Sequence, residues 1–116
     1  MKAETENYSL SKPTCEVEST IKIIGGRWKV LIIRELISGV KRFGQLQRSL
    51  PGITQKMLTQ QLRELEKDGI IHREIYAQIP PKVEYSLTPL GESIKPILYA
   101  MHEWAVKHLS EINRTS

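Results

Sequence analysis

The amphipathic segment 54–68 constrains the fold of this chain more than any other part of the sequence. Its leucines recur every three or four residues and lie on one face of an α-helix: Leu58, Leu62 and Leu65. Thr54 is placed to cap the first turn, and Gly69 is placed to end the last one. A helix with one leucine stripe must bury it against other elements. The segment therefore predicts one helix of a small packed core.

Three further helices are predicted on the N-terminal side of this segment. The first starts at Cys15 after a Thr14 cap, and the other two cover residues 27–38 and 43–50. The helix at 27–38 is apolar almost all the way round, which is typical of a helix at the centre of a core. A Pro-Gly dipeptide at 51–52 predicts a short turn before the amphipathic segment.

Residues 70–76 and 83–87 predict two strands of a hairpin, joined by a long tip at 77–82 that contains two prolines. Two helices joined by a short turn and followed by a hairpin are the plan of a winged helix-turn-helix domain, mainly α with a small β-hairpin. We expect three parts along the chain: a flexible N-terminal arm at 1–13, the domain with its dimerisation helices at 14–113, and a tail at 114–116.

The last helix is predicted to start at Thr88-Pro89, and Pro96 falls within its apolar pattern. We expect Pro96 to kink this helix rather than end it, because the pattern resumes at once. The first and last helices carry more apolar side chains than one small core needs, so they are candidates for a two-fold interface. The alternative is that they cover the core of one chain. The interface candidates are Val17, Ile21, Ile24, Met101, Trp104, Ala105, Leu109 and Ile112.

The basic charge is concentrated in one part of the chain. The 116 residues carry 17 Lys and Arg against 13 Asp and Glu, a net charge of +4. Residues 21–60 alone hold eight basic side chains and one acidic one, a local excess of +7. Such a block indicates either a polyanion-binding surface or an ordinary solvated face, and charge alone does not choose between them.

The polar face of segment 54–68 lies opposite its leucines and has the chemistry for reading duplex DNA. Arg63 can donate two hydrogen bonds to guanine, and Gln60 can pair with adenine in the major groove. Thr59 can contact a thymine methyl group. The predicted reading face comprises Thr54, Gln55, Lys56, Thr59, Gln60 and Arg63. A surface helix also shows a polar face without binding DNA, but the turn, the hairpin and the basic block favour DNA.

Several classes of function are disfavoured. One cysteine excludes an internal disulfide and a multi-cysteine metal cage. No apolar run is long enough to span a bilayer or form a signal peptide, so we expect a cytoplasmic protein. The histidines, His72, His102 and His108, show no ligand or triad spacing. We therefore expect no enzyme activity, no cofactor and no metal.

The chain resembles the HxlR family of bacterial transcriptional regulators, a branch of the winged helix-turn-helix group related to the MarR type. The matching stretches are Ile24–Lys29, Lys41–Phe43, Leu50–Glu66, Asp68-Gly69, Pro80–Thr88 and Leu90-Gly91. The resemblance implies a homodimer on an inverted repeat of promoter DNA, with repression as the commoner outcome. It places the fourth helix in the major groove and the hairpin tip beside it.

Within that arrangement we expect further DNA contacts outside the fourth helix. Lys41 and Arg42 would contact phosphate, and Gln78 and Lys82 on the wing would reach the backbone or the minor groove. A protein-interaction module that uses the winged helix only as a scaffold is the alternative. Such a module would favour apolar or acidic residues on the outer face of the fourth helix.

Cys15 is a candidate redox sensor. Family members often have Cys-Pro at this place, and in some of them the cysteine senses oxidants or electrophiles such as quinones, aldehydes or hypochlorite. This chain departs from the Cys-Pro motif, because Glu16 follows the cysteine. A helix N-terminus favours a thiolate, whereas Glu16 and Glu18 repel one. The alternative is a half-buried structural cysteine.

Overall fold

The computed structural model describes residues 15–115, and it describes their side chains as far as Ile112. The elements in chain order are α1 (Glu16–Ile24), α2 (Arg27–Ile37), β1 (Lys41–Arg42), α3 (Phe43–Ser49), α4 (Gln55–Lys67), β2 (Ile71–Tyr76), β3 (Lys82–Leu87), α5 (Pro89–Glu92) and α6 (Lys95–Thr115). The winged helix-turn-helix prediction is confirmed. The predicted arm and the Thr14 cap lie outside the described residues, and α6 runs two residues into the predicted tail.

The core forms around the leucine stripe of α4. Leu58 and Leu65 are fully buried, and Leu62 is 2% exposed. They belong to one cluster with Ile32 and Ile33 of α2, which are also fully buried. The prediction that α2 lies at the centre of the core is therefore confirmed. The side chain of Thr54 accepts a hydrogen bond from the backbone N–H of Met57, which confirms the predicted cap.

The wing is a three-stranded antiparallel sheet in the order β1-β3-β2, rather than the predicted two-stranded hairpin. β1 pairs with β3 through Lys41 opposite Tyr85 and Arg42 opposite Glu84. A polar strand of two residues is too short to show an alternating pattern, so it left no signal in the sequence.

The expected kink at Pro96 is wrong. The structure has a short helix α5, a turn at Ser93 and Ile94, and a new helix α6 from Lys95. Pro96 lies in the first turn of α6, where the backbone N–H that proline lacks would have no helical partner. At the other end, α1 begins at Glu16, one residue later than predicted, with Cys15 in the N-cap position.

Across the described residues 15–115, no helix is both long and apolar enough to cross a lipid bilayer.

A tight junction joins α5 to the end of α4 and the start of β2. The Thr88 hydroxyl donates to the carbonyl oxygen of Gly69 at 2.6 Å and accepts from the Gly91 N–H at 3.0 Å. Gly91 is buried, and a Cβ atom there would collide with the carbonyl oxygen of Ile70. The absence of a side chain at Gly91 therefore allows α5 to pack against this backbone.

Gly91→Ala should lower the free energy of unfolding by about 1–3 kcal/mol, because the backbone must move to admit the methyl group. Gly44→Ala is the matched control, since the added Cβ there meets only the flexible end of Arg48. Chemical denaturation of both variants measures the difference. Equal stability of the Gly91→Ala variant and the wild type would contradict this packing.

Candidate DNA interface

Burial of the leucine stripe turns the opposite face of α4 to solvent. Gln55, Lys56, Gln60 and Arg63 are exposed, and Thr59 is half-exposed. These side chains line one shallow concave surface of about 790 Å³ together with Thr54 and Glu64. The structure thus brings together all six side chains of the predicted reading face.

The two threonines of this face also form hydrogen bonds within the helix. Thr54 accepts from the Met57 N–H at 3.1 Å, so its oxygen caps α4 while its hydroxyl hydrogen can still be donated. Thr59 donates its hydroxyl hydrogen to the Gln55 carbonyl oxygen at 2.8 Å. Thr59 can therefore offer a base its methyl group and the lone pairs of its oxygen, but not its hydroxyl hydrogen.

An ion pair from α2 reaches the edge of this face. Lys29 Nζ lies 2.7 Å from Glu64 Oε1, and Gln60 Nε2 donates to Glu64 Oε2 at 3.4 Å. The hydrogen bond from Lys29 holds the pKa of Glu64 below its usual value, with a smaller contribution from Gln60. The sequence shows the four-residue spacing of Gln60 and Glu64, but the partner on α2 requires the tertiary fold.

The four candidate contacts outside α4 lie on β1 and on the wing. Arg42 is exposed immediately before α3, and its backbone N–H donates to Gln45 Oε1 at 2.8 Å. Lys41 is half-buried where β1 pairs with β3. Gln78 is exposed in the loop between β2 and β3.

Lys82 has a more enclosed environment than the sequence suggests. It is half-buried at the start of β3, with Nζ 4.2 Å from the ring centre of Tyr76 and 3.9 Å from Glu84 Oε2. Glu84 also raises the pKa of Tyr76 through a hydrogen bond. The Glu84 carboxylate therefore offsets part of the Lys82 charge.

Of the eight interface candidates, seven have exposed or half-buried side chains and one is buried. Val17 and Ile21 on α1 are 48% and 58% exposed, and Ala105 on α6 is half-buried. Ile24 is only 7% exposed and belongs to the core of one chain, so it is removed from the interface candidates. The four remaining candidates on α6 are 40–57% exposed: Met101, Trp104, Leu109 and Ile112.

Cys15 is a free, half-buried cysteine at the N-cap of α1, and its side chain makes no capping hydrogen bond. Among the described residues, no three histidine, cysteine, aspartate or glutamate side chains are grouped closely enough to hold a metal ion.

The HxlR-like helix-turn-helix family matches residues 23–113, which run from the end of α1 to near the end of α6. The chain belongs to this family. Similar proteins include the Bacillus subtilis HTH-type transcriptional regulator YdeP, which is 52% identical over 100 residues, covering 86% of this chain and 78% of YdeP. Its role is that of a DNA-binding transcriptional regulator, and the interaction-module alternative is not favoured.

Solved structures support the same assignment. The redox regulator HypR in its reduced form is 51% identical, with a TM-score of 0.82 over 84% of this chain and 97% of HypR. The reduced form of the transcriptional regulator YodB from B. subtilis is 39% identical, with a TM-score of 0.72 over 79% of this chain and 91% of YodB. This HxlR-like chain therefore shares its fold with regulators that have been studied in defined redox states.

Proposed function

We propose that the chain is a homodimeric repressor that binds an inverted repeat of promoter DNA through α4. The observation that carries this proposal is the concave reading face, in which six side chains suited to DNA lie on one exposed surface. In a two-fold dimer, two such helices about 34 Å apart would enter successive major grooves.

The charges on this face favour DNA. Within residues 15–112, neither Lys56 nor Arg63 forms an ion pair, so both cations are available to phosphates or bases. The flanking acids are already engaged, because Glu64 pairs with Lys29, and Glu66 Oε1 lies 3.3 Å from Arg73. The face therefore presents uncompensated positive charge to the DNA.

The remaining contacts have distinct roles. Arg42 and Lys41 bind phosphate beside the start of α3, and Gln78 reaches the DNA from the wing. Lys82 contributes less to affinity than Arg42, because Glu84 competes with phosphate for its ammonium group.

Gln60→Ala and Arg63→Ala should each weaken binding to the preferred site by about 1–3 kcal/mol and relax the base preference. Arg42→Ala should instead weaken binding to all sequences and reduce the salt slope by about one, because it removes a phosphate contact. The site is first selected from random duplexes, and gel-shift titrations at two salt concentrations then measure each variant.

Lys107→Ala on α6 is the charge-matched control for these titrations. Wild-type affinity for the selected site in both the Gln60→Ala and the Arg63→Ala variant would exclude α4 as the reading helix. Retention of site preference by Arg42→Ala is expected, and its loss would contradict the phosphate role.

The proposed dimer uses α1 and α6. No side chain of α6 between Lys95 and Ile112 is buried, and the large apolar side chains of Tyr99, Met101 and Trp104 are each more than half exposed. A long helix with this much exposed apolar surface needs a partner to bury it. A second copy of the chain presents the same surface to form a two-fold contact.

Trp104→Glu should convert the dimer to a monomer and reduce affinity for the inverted repeat far more than for a single half-site, because the two half-sites are no longer bound together. Ser110→Glu, on the opposite side of α6, is the matched control. Analytical ultracentrifugation and half-site titrations give the readout. A dimeric Trp104→Glu variant would place the interface elsewhere.

We also propose that Cys15 makes binding responsive to oxidants or electrophiles. Support comes from HypR, known in reduced and oxidised forms, and from YodB, known in reduced and diamide-treated forms. Two Cys15 thiols of a dimer would form one disulfide by giving two electrons and two protons to diamide. A quinone would instead add to one thiolate and form a sulfur–carbon bond.

Diamide or a quinone should change the affinity for the selected site, and Cys15→Ser should abolish the change. Intact-mass measurement distinguishes the disulfide from the adduct, and wild type kept in reductant is the control. A Cys15→Ser variant that responds as wild type does would remove Cys15 from the mechanism.

A further inference from the structure

We propose that Lys29 is a positioning residue for base recognition. Through Glu64, it fixes which edge of the Gln60 amide faces the DNA. This inference rests on the proposed role of α4 as the reading helix, and it assigns a function to a basic residue that lies outside the reading face.

Lys29 and Gln60 both contact the carboxylate of Glu64. Glu64 uses one oxygen for Lys29, at 2.7 Å, and the other for Gln60 Nε2, at 3.4 Å. The Lys29 side chain is only 12% exposed, whereas that of Glu64 is 43% exposed. The ammonium group therefore anchors the carboxylate from the protein side and leaves the outer surface to Gln60.

The chemistry of the amide makes this contact directional. A carboxylate only accepts hydrogen bonds, so Gln60 must turn its NH₂ group towards Glu64. The reversed amide would place its carbonyl oxygen against a negative charge. With one N–H engaged by Glu64, the second N–H and the carbonyl oxygen remain for a base. One donor beside one acceptor is the pair that recognises adenine in the major groove.

Lys29 also neutralises an acid at the edge of the interface. Without it, the Glu64 charge would lie beside the reading face and repel phosphates. The carboxylate would also be free to turn away from Gln60, because its second partner is gone. Loss of Lys29 should therefore lower the affinity for all DNA and, separately, reduce discrimination at the base pair that Gln60 reads.

Three variants separate positioning from structural support: Lys29→Ala, Lys29→Arg and the exchange K29E/E64K. The readout is the ratio of affinities for the selected site and for duplexes that each carry one changed base pair. The base pair read by Gln60 is identified as the one at which the Gln60→Ala variant no longer distinguishes the selected site from the changed duplex. Thermal unfolding is followed in parallel, and Lys107→Ala is the charge-matched control.

We expect Lys29→Ala to reduce the ratio at that position about tenfold and to leave the ratios at other positions unchanged. Lys29→Arg should restore it, because a guanidinium also holds the carboxylate. The exchange should restore thermal stability but not the ratio. A lysine at 64 only donates, so it would turn the Gln60 carbonyl oxygen inward and present only NH₂ to the base.

The outcomes distinguish this inference from the proposed function. If Gln60→Ala lowers discrimination but Lys29→Ala does not, the positioning role is wrong and α4 remains the reading helix. If the exchange variant recovers both stability and discrimination, Lys29 acts only through structural support, which also overturns the inference. If neither Gln60→Ala nor Arg63→Ala affects discrimination, the proposed function itself fails.

Discussion

The arrangement of the molecule depends on the burial of one ridge, Leu58, Leu62 and Leu65, against the isoleucines of α2. The sequence of an amphipathic helix does not by itself fix which side faces the rest of the protein. Packing of the apolar side fixes that orientation. Rotation by one residue, about 100°, would bring a leucine to the surface and a reading side chain into the core. The hydrophobic effect at the back of α4 therefore determines which polar side chains face outward, and the ion pair from Lys29 refines that arrangement at one edge.

The sheet fixes the position of the candidate DNA contacts outside α4. Because β1 pairs with β3, the start of α3 and the base of the wing belong to one hydrogen-bonded unit. Arg42 lies opposite Glu84, and Lys82 is two residues along the same strand and on the same face. The β-ladder thus fixes the spacing between Arg42 and Lys82, and Glu84 lies between them as the ion-pair partner of Lys82.

Local patterns predicted the parts of the structure that depend on local physics. The leucine period, the Thr54 cap and the alternation at 83–87 each determine an element through neighbouring residues, and all three appear in the structure. The family resemblance was carried by the same stretches. The exposure of the polar side of α4 could be predicted as well, because the side opposite a buried stripe must face outward.

The remaining features depend on contacts between residues far apart in the sequence. β1 exists because β3 lies beside it, and the Lys29–Glu64 pair joins two helices separated by a turn and a third helix. Ile24 belongs to a stripe with Val17 and Ile21, yet only Ile24 reaches the core, since α1 meets the core at its end. The prediction of a kink at Pro96 is wrong because apolar periodicity does not distinguish a kinked helix from two helices separated by a two-residue turn.

The turn at Ser93 and Ile94 determines the angle at which the long helix α6 leaves the domain. Helix α6 has 21 residues and is therefore about 31 Å long, so a tilt of about 10° at its base moves its far end by about 5 Å. That displacement exceeds the ~3.4 Å step between successive base pairs. If two α6 helices join the subunits, the angle at this turn would set how far apart the two α4 helices lie along the DNA.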